Sequence, residues 1–538
     1  MENTEEKIAY HLHSETIEFV LFATCGILNS GMTRIYTLLS AIISLPMAVG
    51  APIARRNYPS LATSNPSYAN FISTPSNDTT VKADIAHFGG PGLGFNAWSH
   101  RATIIRSSGT AAMCTGNLSV ALGDVGAAYQ ASSSGSTTLL TLLPTAGALV
   151  GAPAKELWVL WNLVPVAGFF SLALSLGGNI APHQVSDYAN LEDFSYSDMR
   201  STSAEKLNPR RESNLSSKAE NDETEADVVR AAEQFANHVH ARAMDPQGSD
   251  KTLKILLGIF SLCVWISLIV VACHLLQAGA IIVWWCTAVN WTFCWYAVTI
   301  AASILEFIAN NPLARSWTIR VSRAPQLRIS PDAPSVIPVN ESSNQASQQS
   351  ALLSDWRKHK PDVIDGLNEG YNTVGQVIMD PNAPWSASKD PFYVMISCGG
   401  VRKYQTMLRL FSKLFSVGTF TFSTALFASS SLVQITIATV VMTLILGAGV
   451  LGRVTAMWIS AIIMRDKPVL HRIVKNKKDA SVFMEAVLRQ EGLVCEVLGH
   501  VVVNGMCVKR RSKYTWDRIL GVLAPPFDLT KIAVPPSP

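Results

Sequence analysis

The chain contains no HExxH, no GxSxG and no glycine-rich loop completed by Lys-Ser/Thr, and its long apolar stretches hold no paired acids or histidines. The first three patterns build a zinc-bound water, a nucleophilic serine and a phosphate cradle, so those hydrolase and nucleotide-binding classes are excluded as motif-based readings. The missing intramembrane titratable pairs speak against embedded hydrolases and proton-coupled carriers, whose chemistry or charge movement needs such groups. Metal ligation lacks support too. His238 and His240 sit two apart and point to different faces of a helix, and Cys495 with Cys507 supplies only two ligands. The glycine-rich stretch His87 to Phe95 has no strand-to-helix pattern around it and reads as a flexible loop. No catalytic, cofactor-binding or metal site is expected, and the chain is read as a non-enzyme. It shows no internal repeat or inverted hydropathy symmetry, and no resemblance to a named family.

Charge is also scarce. Only 15% of the 538 residues are Asp, Glu, Lys or Arg, against 48% hydrophobic, and the formal net charge is +4. Mean hydropathy is +0.23. That balance gives no basis for nucleic-acid binding and points to a polytopic membrane protein with large polar loops.

What is present is length without charge. Ile255 to Ile308 holds a single charged side chain, Glu306, and divides into two apolar runs, Ile255 to Leu276 and Ala280 to Ile308, with Gln277 to Gly279 as the expected turn. Each run exceeds the roughly 20 residues that cross a bilayer core. A second hairpin is expected from Leu414 to Ala428 and Leu432 to Gly452. Leu157 to Ile180 reads as a single span kinked at Pro165. Thr137 to Pro153, broken by Pro144, Gly147 and Gly151, reads as a short span, a re-entrant piece or an interfacial one.

Tyr36 to Ala54 admits two readings. From Met32 the sequence has the basic, apolar and small-residue regions of a secretory signal, followed by Arg55-Arg56; equally, it is an anchor stopped by those arginines. The expected total is five to seven spans. Lys and Arg number three over 57 to 154, eight over 181 to 252, twelve over 309 to 413 and fourteen over 453 to 538, which places the last three regions in the cytosol and the first outside. Two sequons in the outer region, Asn77-Asp-Thr79 and Asn117-Leu-Ser119, are the glycosylation candidates, whereas Asn290-Trp-Thr292 falls in an expected span and should be unmodified. With Cys114 the only cysteine outside, no internal disulfide is expected there, and Cys263, Cys273, Cys286 and Cys294 read as small apolar residues.

The domain plan is then an N-terminal extension with a signal-like or anchor segment (1–56), a sequon-bearing lumenal or extracellular segment (57–136), a membrane segment (137–180), and a cytosolic disordered linker with an amphipathic helix at 223–244 (181–252). A transmembrane hairpin (253–308), a cytosolic loop (309–413), a second hairpin (414–464) and a basic α+β tail (465–538) follow. The fold class is a membrane, all-α polytopic bundle with a small cytosolic α+β tail. In that tail Asn504-Gly505 marks a type I′ hairpin turn, across which Cys495 and Cys507 could face each other.

Few residues stand out as sites. Asn290 and His274 are the notable polar groups of the first hairpin, with Trp284, Trp291 and Trp295 reading as an aromatic stripe on one helix. Lys509, Arg510, Arg511 and Lys513 could meet anionic lipid headgroups. The expected partners are the lipid bilayer and cytosolic proteins bound through 181–252 and 309–413. The functional expectation is a scaffold, sensor or organiser in a secretory-pathway membrane, plasma membrane or endomembrane; the alternative is a small-molecule transporter or channel.

Overall fold

The computed structural model describes residues 95–106, 110–125, 127–150, 155–178, 225–244, 251–311, 313–323, 327–329, 363–364, 367, 377–379, 391–399, 404–465, 468–510, 520–527, 529 and 533–534. The signal-like segment, Asn77, Arg511, Lys513, the linker residues 181–222 and most of the loop 309–413 between Arg323 and Pro391 lie outside them.

Helices α1 (Phe95–Arg106), α2 (Ala111–Asp124) and α3 (Ala127–Thr141) precede α4 (Leu143–Val150), α5 (Lys155–Leu163) and α6 (Pro165–Ala173). Then come α7 (Glu225–Met244), α8 (Thr252–Gly279), β1 (Ile281–Ile282), α9 (Trp291–Asn310), β2 (Leu313–Arg323), β3 (Leu327–Ile329), β4 (Val377–Met379) and β5 (Phe392–Gly399). The chain continues through α10 (Gln405–Ala428), β6 (Ser430–Ser431), α11 (Ile435–Met464), β7 (Leu470–Val474) and α12 (Lys477–Leu488). It closes with β8 (Leu493–Val497), β9 (His500–Val503), β10 (Met506–Arg510), a 3-10 turn at Gly521–Leu523 and β11 (Ala533–Val534).

Among the described residues four helices are long and apolar enough to cross a membrane: α8 with 28 residues, α9 with 20, α10 with 24 and α11 with 30. At 1.5 Å per residue they measure roughly 30 to 45 Å, matching a hydrocarbon core of about 30 Å with some excess. The protein is thus mostly helical and compatible with an integral membrane protein. Both expected hairpins are present, and α8 packs along α11 while α9 packs along α10. The turns differ from expectation. Gln277 to Gly279 remain helical, with Ala280 N bonded to Leu276 O, and the first connection is the longer stretch 280–290. Its strand β1 pairs antiparallel with β6 of the second connection, Ile281 opposite Ser431 and Ile282 opposite Ser430, which stitches the two hairpins together at one end.

Leu157 to Ile180 is not one span. The chain breaks at Val164 (φ −135°, ψ 76°), because Pro165 has no N–H to continue the first helix and its ring excludes the helical conformation before it. Two nine-residue helices, α5 and α6, result. They meet at a tight elbow, where a Cβ on Gly168 would lie 2.6 Å from Trp161 Cα. α6 then ends among the middle turns of the long helices: the Tyr296 hydroxyl donates to Ala173 O (3.1 Å), Ser175 Oγ to Ser303 Oγ (3.1 Å), and Leu174 lies against Gly452. An interruption at that depth is tolerable because its backbone is surrounded by protein. Thr137 to Pro153 likewise spans the end of α3 and the short α4, not a single helix.

Two further expectations are corrected at the stitched end. Cys114 of α2 forms a disulfide with Cys286 in the first connection, across 172 residues of sequence. The expectation of an unbraced outer segment failed because it placed Cys286 inside a span, whereas α8 ends seven residues earlier. For the same reason the aromatic stripe is only Trp291 and Trp295, both packed on Phe427; Trp284 lies in the connection, exposed, edge-on to Phe422. The described part of the outer segment is helical. α2 starts at Thr110, whose hydroxyl accepts from Met113 N, and buries Cys114, Asn117, Leu118 and Ala121 at helical spacing.

The opposite end carries a six-stranded sheet in the order β10-β9-β8-β2-β5-β7. The tail therefore is not a module of its own, since its strands flank β2 and β5 from the 309–413 loop. β8, β9 and β10 form a meander with two turns of left-handed backbone, Leu498-Gly499 (φ 50° and 86°) and the expected Asn504-Gly505 (φ 48° and 78°). Val502 of β9 stands between Cys495 and Cys507, opposite each, so the two thiols do not face one another directly. The amphipathic helix α7 packs on α12 and β2, burying Ala232, Ala236, Val239 and Ala243 beside Phe483 and Val487. The apolar face of the helix is thus occupied within the protein itself. A second, three-stranded sheet runs β11-β4-β3.

Candidate functional site

The helices and the sheet are joined by short connections. β2 begins three residues after α9 ends, β5 leads through 400–404 into α10, and α11 runs through 465–469 into β7. β2 pairs with the whole of β5, from Leu313 opposite Gly399 to Val321 opposite Phe392, so the α9–α10 pair continues as a strand pair.

At this junction the first turns of α10 complete the last turn of α9. Gln405, Arg409 and Lys413 recur every four residues and therefore line one helix face. Gln405 Nε2 donates to Asn311 O, Arg409 Nε to Ala309 O (3.2 Å) and Lys413 Nζ to Glu306 Oε1 (2.9 Å). Glu306 is buried, with 5% of its side chain exposed against 57% for Lys413, so the ammonium stays hydrated while it neutralises a carboxylate that is not. Asn310 Nδ2 also reaches Glu306. Cations and amides at helix C-terminal carbonyls satisfy orphan acceptors and complement the helix dipole. The same device closes α8 at the other end: Arg106 Nη2 donates to Gln277 O (2.7 Å) and to Ala280 O. Burial pulls the Arg106 guanidinium down to about 10, which leaves it charged at neutral pH.

Beyond the junction, alternation along β2 sends Trp317, Ile319 and Val321 to the α7–α12 core and Arg320 and Ser322 to the other face. Opposite Arg320 stand Tyr393 on β5 and Glu496 on β8. Arg320 donates to Ala524 O and, at 3.2 Å, to Pro525 O, while Phe527 N donates to Glu496 Oε1 (3.0 Å) and Lys509 Nζ sits 5.5 Å from the Phe527 ring centroid. Arg320 and Glu496 thereby clamp the segment 520–527 onto the sheet. That strap reaches the elbow as well, for a Cβ on Gly521 (φ +56°) would fall 1.8 Å from Leu163 O. On the same sheet face His471 Nε2 and Ser397 Oγ share a hydrogen bond of 2.8 Å, and the His471 ring lies 5.0 Å from that of Trp158 on α5. Among the described residues Tyr393 OH, Ser322 Oγ and Arg320 Nε are buried without a hydrogen-bond partner. Burial pushes the Tyr393 phenol up to about 12, with the Arg320 charge pulling against it.

Arg320→Met should release this strap. The change leaves the Ala524 and Pro525 carbonyls without this donor and removes the guanidinium 3.9 Å from Glu496, the buried Ala524 acceptor alone costing roughly 1 to 3 kcal/mol. Limited proteolysis should cut the C-terminal 20 residues several-fold faster than in wild type; an unchanged rate would mean that the strap is held by other contacts.

The residues singled out from sequence are dispersed. His274 is half-buried in α8, Asn290 is exposed at the start of α9, and among the described residues no hydrogen bond joins them. Asn117 is buried in α2, 1% exposed. Lys509 packs over Phe527 and Arg510 pairs with His500 at the sheet edge. Cys495 is buried beside Glu496, which together push its thiol up to about 12 and leave it unreactive near neutrality. Among the described residues no three His, Cys, Asp or Glu side chains are grouped to hold a metal. Sequence reasoning missed the Arg320–Glu496 clamp, which no local pattern announces; the four-residue spacing of 405, 409 and 413 was the available signal for the other half. No family model, curated protein or solved structure matches the chain.

Proposed function

We propose that the protein is a multi-pass membrane protein of the secretory pathway or cell surface, acting without catalysis as a sensor or organiser that couples events at one membrane face to the sheet at the other. The observation that carries this reading is the direct passage of α9, α10 and α11 into adjacent strands β2, β5 and β7 of one sheet. Packed elements of this kind shift as units and transmit displacement. Two independent rules support the orientation. Lys251, Lys254, Arg409, Lys413 and Arg465 all lie near the sheet end of the helices, the side that the positive-inside rule assigns to the cytosol. The Cys114–Cys286 disulfide lies at the other end, the side open to an oxidising lumen. Partners would meet the sheet and the loops of 181–252 and 309–413.

The coupling is testable by hydrogen exchange on purified protein. Reducing Cys114–Cys286 under conditions that preserve a monodisperse fold should raise exchange several-fold in the β2–β5 ladder at the far end. Exchange confined to 95–150 and 280–290 would sink the coupling reading.

One observation favours the alternative of a transporter. The end of α6 gathers main-chain carbonyls and the buried, hydrogen-bonded hydroxyls of Ser175, Ser303 and Thr299 at mid-depth, and interrupted helices of this type form substrate and ion sites in carriers. Solute or ion flux into proteoliposomes that Ser303→Leu abolishes at normal abundance would establish it over the first reading.

A further inference from the structure

We infer that Asn290 carries an N-linked glycan. The proposal rests on the orientation argued above, in which the connection 280–290 faces an oxidising lumen. Asn290-Trp291-Thr292 is an acceptor sequon. Helix α9 begins at Trp291, so Asn290 stands outside the span as its N-cap residue, and its side chain makes no capping hydrogen bond. It is exposed, four residues beyond the disulfide-bonded Cys286, while its neighbours Trp291 and Thr292 are buried.

Height favours the same residue. Trp284 lies against Phe422, six residues before the end of α10, whereas Trp291 packs on Phe427, one residue short of that end, and Asn290 precedes Trp291 at the N-terminus of α9. Thr292, the hydroxyl residue of the sequon, is later buried by the fold, donating to Gln277 Oε1 (2.7 Å) and Cys273 O (3.1 Å). The asparagine itself is exposed, as a finished glycan requires. The other described sequon is its opposite. Asn117 lies on the buried stripe of α2, neither side-chain atom has a partner, and a glycan there would force that stripe out of its packing.

The modification is a group transfer. Asn290 Nδ2 bonds to the anomeric carbon of an oligosaccharide carried on a lipid pyrophosphate; the carbon–oxygen bond to pyrophosphate breaks, the lipid pyrophosphate leaves with the electron pair, and the amide gives up one proton. No oxidant or reductant enters.

The test uses the full chain expressed in a eukaryotic cell, with gel mobility read before and after N-glycosidase. Wild type and Thr292→Ser, which keeps the sequon, should both shift. Asn290→Gln and Asn290→Asp should lose one glycan step, and Asn117→Gln should match wild type. Size-exclusion profiles of both Asn290 variants show whether the fold survives. In parallel, a maleimide-coupled polymer applied without reductant reports whether Cys114 and Cys286 are joined. A disulfide that is present with no step dependent on Asn290 overturns the glycan and leaves the orientation standing. Free thiols at both positions together with no step overturn both.

Discussion

Gly168→Ala should destabilise the protein, although helix propensity alone predicts the reverse. Replacing a helical glycine by alanine ordinarily gains about 1 kcal/mol. Here the added methyl would stand 2.6 Å from Trp161 Cα, 2.8 Å from Trp161 N and 3.1 Å from the Leu160 carbonyl carbon, all of them backbone atoms of α5. A side chain could swing away; this backbone cannot. α5 is held below by Trp158 against His471 (5.0 Å) and by Trp161 against Phe307 (5.3 Å), and α6 is held above by the Tyr296 bond to Ala173. Opening the elbow would break several of these contacts. Overpacking in a core costs about 1 to 3 kcal/mol when side chains can adjust, and a backbone overlap lies at or beyond the upper end. Thermal unfolding in detergent, followed by size exclusion, should show a clear fall in midpoint for Gly168→Ala and little monodisperse protein for Gly168→Val. A Gly168→Ala midpoint equal to or above wild type would mean that the elbow is open in the folded protein.

The elbow also shows which parts of the structure hydropathy could reveal. The two hairpins were legible because each crosses a bilayer thickness with almost no charge, a requirement that leaves its mark on every residue of the run. Leu157 to Ile180 has the same signature for another reason: its described residues, 157–178, are enclosed by other helices, and burial in protein selects the same apolar side chains as burial in lipid. Only Pro165 signalled the difference, and it fixes a break without saying how far the chain turns. The sheet was half legible. Asn504-Gly505 announced one turn, while Leu498-Gly499, with a leucine in left-handed backbone, gave no comparable signal. Pairing of β2 with β8, and of β5 with β7, joins segments separated by large stretches of chain, including both helices of the second hairpin, and no local pattern specifies such partners. The same holds for the polar clamp. Arg320 and Glu496 are ordinary residues of two strands until the sheet brings them together.

Cys286→Ser should show how strongly the stitched end depends on the Cys114–Cys286 disulfide. Three groups of contacts converge there without it. Trp98 Nε1 and the Tyr129 hydroxyl both donate to Leu432 O (2.6 and 2.9 Å), Arg101 Nη2 donates to Tyr129 OH (2.8 Å), and Trp98 lies against Gly279. Leu432 itself is in left-handed backbone (φ 63°), and its doubly bonded carbonyl helps to hold it there. These bonds fasten α1 and α3 to the hairpins. α2 is different: its main partner helix is α1, and its tie to the connection 280–290 is the disulfide. In the chain-entropy picture closing a loop of 100 residues contributes about 4.7 kcal/mol, and measured losses for native disulfides run roughly 2 to 5 kcal/mol. Removal should therefore free α2 and the connection while leaving the sheet folded, giving a two-step thermal transition in place of one. The lower step should be shared by Cys114→Ser, Cys286→Ser and the double variant, since each removes the same bond. A single cooperative transition at the wild-type midpoint in all three would show that the hydrogen bonds around Leu432 suffice to hold this end together.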